Sequence, residues 1–331
     1  MAHELDFSNG RANMAYIGKA PWHTLGSELP AGADLLTWRK AAGLEWSVKA
    51  QPVLYRPRRG AGNLRLVSDH KLLLRSDTRA PLSIVSRRYK VVQPGEVLGF
   101  FEELVKGNGF TLETAGSLRG GRRIWALARV GEGANVVDGD KVRPYLLLAT
   151  SYDRSVATTA QFTAVRVVCN NTLTAAVGDH GSSGRTYEPR VSIPHASKFD
   201  AQAVREQLSI ATSSWEEFLI KTRRLAAAKI DADRLDAFLL ELYRVDGGDA
   251  PAIAVARNTK AYRRITALFN GQAMGSAMAG KTLWGAVNAV TQFVDFERGS
   301  TRETGLDAAW FGEGALLKDR AFAMAQALLP A

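Results

Sequence analysis

Cysteine is almost missing from this chain: Cys169 is the one thiol in 331 residues. A single thiol excludes an internal disulfide framework and any multi-cysteine zinc site. Long apolar runs are missing as well. No stretch of about 18 consecutive apolar residues occurs, so no membrane span is expected. The N-terminus, Met1 to Phe7, has neither the basic n-region nor the apolar h-region of a secretory signal. A cytoplasmic protein is therefore expected. Histidine is scarce at five residues. His3, His23, His70, His180 and His195 are scattered, which is a poor basis for a metal site. Tandem repeats and low-complexity segments are absent.

What is present is the composition of an ordinary globular protein, 46% apolar and 23% charged, on a chain long enough for two domains. The formal net charge is +10, and between Trp46 and Val130 there are 16 Lys or Arg against 6 Asp or Glu. The excess of that segment equals the excess of the whole chain. A basic field of this size attracts polyanions and speeds their capture. Charge alone fits a solvated basic face equally well.

Residues 1 to 33 are punctuated by Gly10, Gly18, Pro21, Gly26, Pro30 and Gly32 and read as irregular. A short amphipathic helix starts at Asp34 or the preceding glycine and ends at Gly43. Strand-like pieces follow at Trp46 to Ala50, Val53 to Tyr55, Asn63 to Val67, Lys71 to Ser76 and Leu82 to Val85, a meander with arginine-rich tips. Pro94 and Glu96 open a helix that Gly107 stops. Two strands, Phe110 to Ala115 and Arg122 to Val130, precede a turn-rich loop from Gly131 to Asp140.

The stretch from Tyr145 to Val177 reads as a β-hairpin turning at Ser151 to Ser155, with a helical pattern at Leu173 to Val177 capped by Asn171 or Thr172. A polar loop spans Gly178 to Pro194. Ser197 to Val245 reads as helical throughout, with further helices at roughly Ala232 to Tyr243, at Ala252 to Phe269, at Leu283 to Phe296 and at residues 315 to 329. The expected fold is α+β: an antiparallel β-sheet with helices packed on one face, then a mainly helical C-terminal half. The expected division is 1–45, an irregular segment with a short helix; 46–194, a basic β-rich core; and 195–331, a helical region.

Five ordered motifs carry a resemblance. They are Pro21-Trp22-His23-Thr24-Leu25-Gly26, Tyr89-Lys90-Val91-Val92-Gln93-Pro94, Gly120-Gly121 before Trp125, Arg166-Val167-Val168-Cys169-Asn170-Asn171-Thr172-Leu173, and Trp284-Gly285-Ala286-Val287-Asn288-Ala289-Val290-Thr291. Together they resemble the phage/plasmid-like protein family, domain of unknown function family 932, over nearly the whole chain. The resemblance implies an origin in a phage, prophage or plasmid. It implies no reaction, because the family has no established catalytic residues to carry over. His195 departs from the pattern, standing in Pro194-His195-Ala196 where a His-Thr pair is expected.

Three constellations compete for function. Gly275 to Thr282 satisfies G-x-x-x-x-G-K-[ST], in which Lys281 would reach β/γ-phosphates and Thr282 would ligate magnesium. That motif requires a buried strand before it, and Tyr262 to Phe269 reads as a helix end, so a glycine-rich helix entry is the preferred reading. Cys169 with Asp179, His180 and His195 could form a thiol nucleophile and base. A cysteine beside Val167 and Val168 reads better as a small core residue.

The third constellation is basic and interleaved with aromatics: Tyr55, Arg56, Arg58, Arg59, Arg87, Arg88, Tyr89, Lys90, Arg119, Arg122, Arg123, Tyr152 and Arg154. Cations along a groove with aromatic faces for stacking are what single-strand binding needs. Trp125 alternates with charged neighbours and is assigned to the core. The expected function is therefore a non-enzymatic, cofactor-free protein of a mobile element that binds or anneals single-stranded DNA. RNA and duplex DNA remain open as partners, homo-oligomers are expected, and no membrane partner is. The alternatives are a factor that binds an acidic host protein, including an anti-defence role, and a P-loop enzyme.

Overall fold

A computed structural model of the chain describes residues 5–8, 10–18, 25–57, 63–107, 110–166, 171–174, 190–197, 200, 212–243, 250–298 and 312–329. It confirms the α+β class, with antiparallel-rich sheet in the first half and helices in the second. No described helix is long and apolar enough to cross a membrane. The chain divides into two compact units, and neither is a continuous piece of sequence. Unit one comprises 1–130, 146–161 and 190–207; unit two comprises 131–145, 162–189 and 208–331. The sequence boundaries at 45/46 and 194/195 are not the ones that separate these units.

In unit one the expected irregular segment contributes strands: β1 (Phe7–Ser8), β2 (Arg11–Ala12), β3 (Met14–Ile17) and β4 (Ser27–Leu29). Such short pieces carry too little period to be read locally. They are defined by their partners, β4 running parallel to β3 and β3 antiparallel to the strand at Phe110–Leu118. Helix α1 (Leu35–Ala41) starts where Asp34 accepts the Thr37 amide at 2.8 Å, as an N-cap should.

Strands β5 (Val48–Tyr55), β6 (Arg65–Arg75) and β7 (Pro81–Ser86) form a separate three-stranded antiparallel meander. The five expected pieces are three strands because a bulge between Pro52 and Val53 absorbs the break without ending the ladder. Helix α2 (Pro94–Gly107) has Pro94 at its first position, and Glu96 accepts the Gln93 amide at 2.6 Å, half of a capping box.

Strands β8 (Phe110–Leu118), β9 (Arg123–Val130), β10 (Ala134–Val137), β11 (Asp140–Ser151), β12 (Thr158–Arg166), β13 (Asn171–Thr174) and β14 (Arg190–Ile193) complete the β structure. In unit one the strand order is β4-β3-β8-β9-β11-β12, with β14 against β12 at Thr158 to Gln161. The hairpin turning after Ser151 is present as expected. Three expectations are corrected here. The loop at 131–140 holds β10, which pairs with β11 from Ala134 to Asp140. The expected start of a helix at Leu173 is strand β13, its Thr172 and Leu173 paired with Val165 and Ala164; 175–177 lie outside the described residues. The last part of the expected 178–194 loop is β14.

Unit two is built on helices α3 (Thr212–Ala227), α4 (Ala232–Leu242), α5 (Ala250–Arg257), α6 (Lys260–Ala267), α7 (Ser276–Ala279), α8 (Leu283–Gln292) and α9 (Glu313–Ala327). The helical stretch expected at 197–245 is interrupted at Ala228 to Asp231, where Lys229 bridges to Thr282, and the helix expected at Ala232 to Tyr243 is α4, which Asp231 caps. The expected helix at 252–269 is broken before Thr259, which caps α6 by accepting the Tyr262 amide at 3.1 Å. Every residue of α8 is buried. It carries the Trp284 to Thr291 motif, and its polar groups are met internally, Thr291 donating to the Val287 carbonyl at 2.8 Å. Trp284 donates to the buried Asp140 carboxylate at 2.9 Å, tying the β10–β11 hairpin to the central helix. Phe218, Phe238, Phe293 and Phe322 pack into the same core.

Candidate functional site

The basic residues singled out in the sequence all fall in unit one. Arg58 and Arg59 lie outside the described residues. The others are spread along β6. At one end, Tyr55 pairs with Arg65 across the hairpin, and Tyr55, Arg56 and Arg65 are exposed. Arg87 follows β7 and its amide donates to the Asp69 carbonyl at 2.8 Å, so exposed Arg87 and Arg88 lie beside the middle of β6, and the amide of exposed Lys90 donates to the His195 carbonyl.

At the other end three turns meet. Arg75, the last residue of β6, reaches the Gly120 carbonyl of the β8–β9 turn at 3.4 Å. The carbonyl of Arg122 in that turn accepts the Tyr152 amide at 2.7 Å, and Arg123 donates to the Ser155 hydroxyl at 2.7 Å in the β11–β12 turn. Exposed Arg119, Arg122 and Arg154 stand on these turns, and so does exposed Arg79 on the β6–β7 turn. From Arg65 to Arg75 β6 runs ten residue steps, roughly 33 Å at the usual strand rise. Exposed cations thus stand at both ends of β6 and beside its middle.

The turn end is held by a buried guanidinium. Arg75 is 4% exposed, donates to both oxygens of Asp77 at 3.0 and 2.8 Å and to Asp6, and lies 4.5 Å over the ring of Trp46. Burial works against its charge, but the hydrogen bonds with Asp77 and Asp6 outweigh burial and raise its pKa. Conversely, hydrogen bonding to Arg75 holds the Asp77 carboxyl below its ordinary value. Gly121 lets this packing close: its φ is +86°, and a Cβ there would come within 2.9 Å of both Arg75 and Trp46. That is the physical content of the Gly120-Gly121 motif.

Tyr89, Tyr152 and Arg123 do not offer binding surface. They are 4%, 0% and 3% exposed. Tyr152 donates to the Val92 carbonyl at 3.0 Å, Tyr89 donates to the Ser151 carbonyl, and Trp46 packs edge-on against Tyr152 at 5.9 Å. Burial raises the pKa of both phenols. They brace the turn end from beneath, and no base can stack on them. Of the three tyrosines expected as stacking faces only Tyr55 is accessible. The neighbouring Gln93 holds both the amide and the carbonyl of Val48, at 2.8 and 3.2 Å, so the Tyr89 to Pro94 motif fastens β5, the hairpin turn and α2 together. Trp125 is in the core as expected.

His195 is stacked on Tyr89 at 4.4 Å, with its Nε2 2.8 Å from the Val156 carbonyl. Desolvation lowers its pKa, against the opposing effects of Val156 and Asp153. Cys169, Asp179 and His180, weighed with it as a nucleophile and base and set aside for a core cysteine, lie outside the described residues. Among the described residues no group of three His, Cys, Asp or Glu is placed to hold a metal ion.

Gly275 to Thr282 is not a phosphate loop. A π-helical turn, Leu268–Gln272, precedes it where a strand would be required, and the short helix α7 occupies the would-be cradle. The Thr282 hydroxyl is committed to the helix entry, donating to the Ala279 carbonyl at 2.7 Å and accepting the Gly285 amide at 3.0 Å. The glycine-rich helix entry preferred from the sequence is what forms.

A family described as Domain of unknown function (DUF932) matches residues 81–310. No curated protein and no solved structure matches the chain.

Proposed function

Since the chain belongs to the DUF932 family, whose function is unknown, its role has to come from its own residues, and we propose that it binds nucleic acid, single-stranded DNA above all. The observation that carries this reading is the placement of exposed cations at both ends of β6, roughly 33 Å apart by strand rise. A mononucleotide cannot bridge that span, whereas a polyanion of several phosphates can. Electrostatic capture of the backbone needs no nucleotide hydrolysis, which fits the helix-entry geometry of Gly275 to Thr282. Tyr55 beside Arg56 supplies one exposed ring for stacking.

In the setting that the sequence resemblance implies, a phage, prophage or plasmid, the role is single-strand binding or annealing during recombination, in the cytoplasm. Side-by-side assembly of copies is supported by Leu54 and Leu66, which face each other across the β5–β6 hairpin and are each at least half exposed. The test is a titration of fluorescent oligo-dT at 50 and 200 mM salt. Binding at low salt that falls steeply with salt supports the proposal. No binding at 50 mM refutes it and favours an acidic protein as the partner.

A further inference from the structure

Among the described residues, the non-glycine positions with positive φ are Arg79 at 62°, Arg119 at 57° and Arg154 at 66°. Left-handed backbone brings Cβ against the following carbonyl, and glycine, asparagine or aspartate normally occupies it. Arginine gains nothing there that glycine would not give more cheaply. Yet these three arginines stand one on each of the three turns that Arg75, Arg122 and Arg123 join at one end of unit one. All three are exposed, as is Arg122 beside them.

The acids of the same turns are engaged within the fold. Asp77 and Asp6 hold Arg75, and Asp153 accepts the Ser155 amide at 3.0 Å. The interleaved Arg75 and Arg123 are buried supports. Strained positions of this kind gather where a ligand is gripped. We propose that Arg79, Arg119, Arg122 and Arg154 form a phosphate-binding rim that grips the backbone of single-stranded DNA. The proposal rests on the nucleic-acid reading above and assigns its backbone contact to this end of the sheet. Guanidinium groups bind phosphate in a bidentate fashion and stay charged at any working pH, so the rim positions a strand without reading its sequence.

The test is the triple variant Arg79→Gly, Arg119→Gly, Arg154→Gly, titrated with fluorescent dT30 across salt concentrations, with thermal unfolding in parallel. Each lost phosphate contact removes about 0.7 from the log–log salt slope, so three remove about 2 and weaken binding about 100-fold at 0.1 M salt. The thermal midpoint holds or rises, because glycine suits the left-handed turns. A control removes three exposed cations from unit two, Arg234→Gln, Lys260→Gln and Arg263→Gln, and changes the slope far less. If wild type binds with a steep salt dependence and the glycine variant binds equally well, the rim is wrong while the function stands. If wild type does not bind at all, the function itself is wrong. A glycine variant that melts several degrees lower shows that the arginines serve the turns, and that also overturns the rim.

Discussion

Replacing Arg75 by methionine removes a side chain that touches the N-terminal segment, the β6–β7 turn and the β8–β9 turn together. The magnitude follows from the burial of its two acids. Asp6 has a side chain 12% exposed, and without Arg75 it keeps the Asn13 amide at 2.9 Å and the Ser117 hydroxyl at 3.4 Å but no cation. Breaking a buried pair from one side costs about 3–5 kcal/mol. Asp77 is 41% exposed, so its share is that of a surface pair, below about 1 kcal/mol. The expected loss is about 4 kcal/mol, of which Asp6→Asn in the same chain returns about half, because the stranded charge is gone.

Urea unfolding followed by tryptophan fluorescence measures both values, and Trp46, against Arg75 and Tyr152, is well placed to report. The pH profile gives a second readout. The Asp77 carboxyl is depressed in the folded state by Arg75, so its contribution is present above the unfolded value of about 3.9 and is lost as pH falls through the folded value. The gap between wild type and Arg75→Met therefore narrows below about pH 4. A loss under 1 kcal/mol, or no recovery with Asp6→Asn, would refute the hub.

Three further outcomes are expected. The His195 pKa is lowered in the fold, so stability is complete above the unfolded value of about 6.5 and falls as pH drops below it; His195→Phe flattens that slope in urea midpoints taken from pH 5 to 8. In unit two, Lys318 and Asp295 form an ion pair at 2.7 Å with side chains 2% and 7% exposed. Lys318→Met costs about 3–5 kcal/mol, whereas Lys318→Met with Asp295→Leu costs far less, a double-mutant cycle read by chemical denaturation. Gly285→Ala places a Cβ 2.2 Å from the Gly280 carbonyl oxygen, a backbone atom that cannot turn aside, and costs about 1–3 kcal/mol in a thermal melt.

Elements with chemistry at their own ends were legible in the sequence. Asp34 and Gly43 bracket α1, Pro94 and Glu96 open α2, and the hairpin after Ser151 turns where polar residues interrupt two apolar strands. Elements whose identity depends on a distant partner were not. Asn171 and Thr172 suit a helix cap as well as a strand, and only pairing with Val165 and Arg166 decides for β13. The site divides in the same way. Charge counting picked out residues that fall in one unit, and exposure held for Arg56, Arg87, Arg88, Lys90, Arg119, Arg122 and Arg154. It failed for Tyr89 and Tyr152 because their hydroxyl partners lie 62 and 60 residues away, which no local pattern encodes. The left-handed backbone of Arg79 leaves no mark on residue type at all.

The interleaving of the two units has a consequence for synthesis on the ribosome. Asp140 is made early, but the indole that satisfies its buried carboxylate, Trp284, follows 144 residues later. At ribosomal rates of roughly 5–20 residues per second the Asp140 carboxylate waits about 7–29 s for that indole. Helix α3 comes between them in the chain, and its Arg223 donates to the Asn135 carbonyl of β10 at 2.9 Å, so the order of translation gives the hairpin one helix to pack on before α8 arrives to satisfy Asp140.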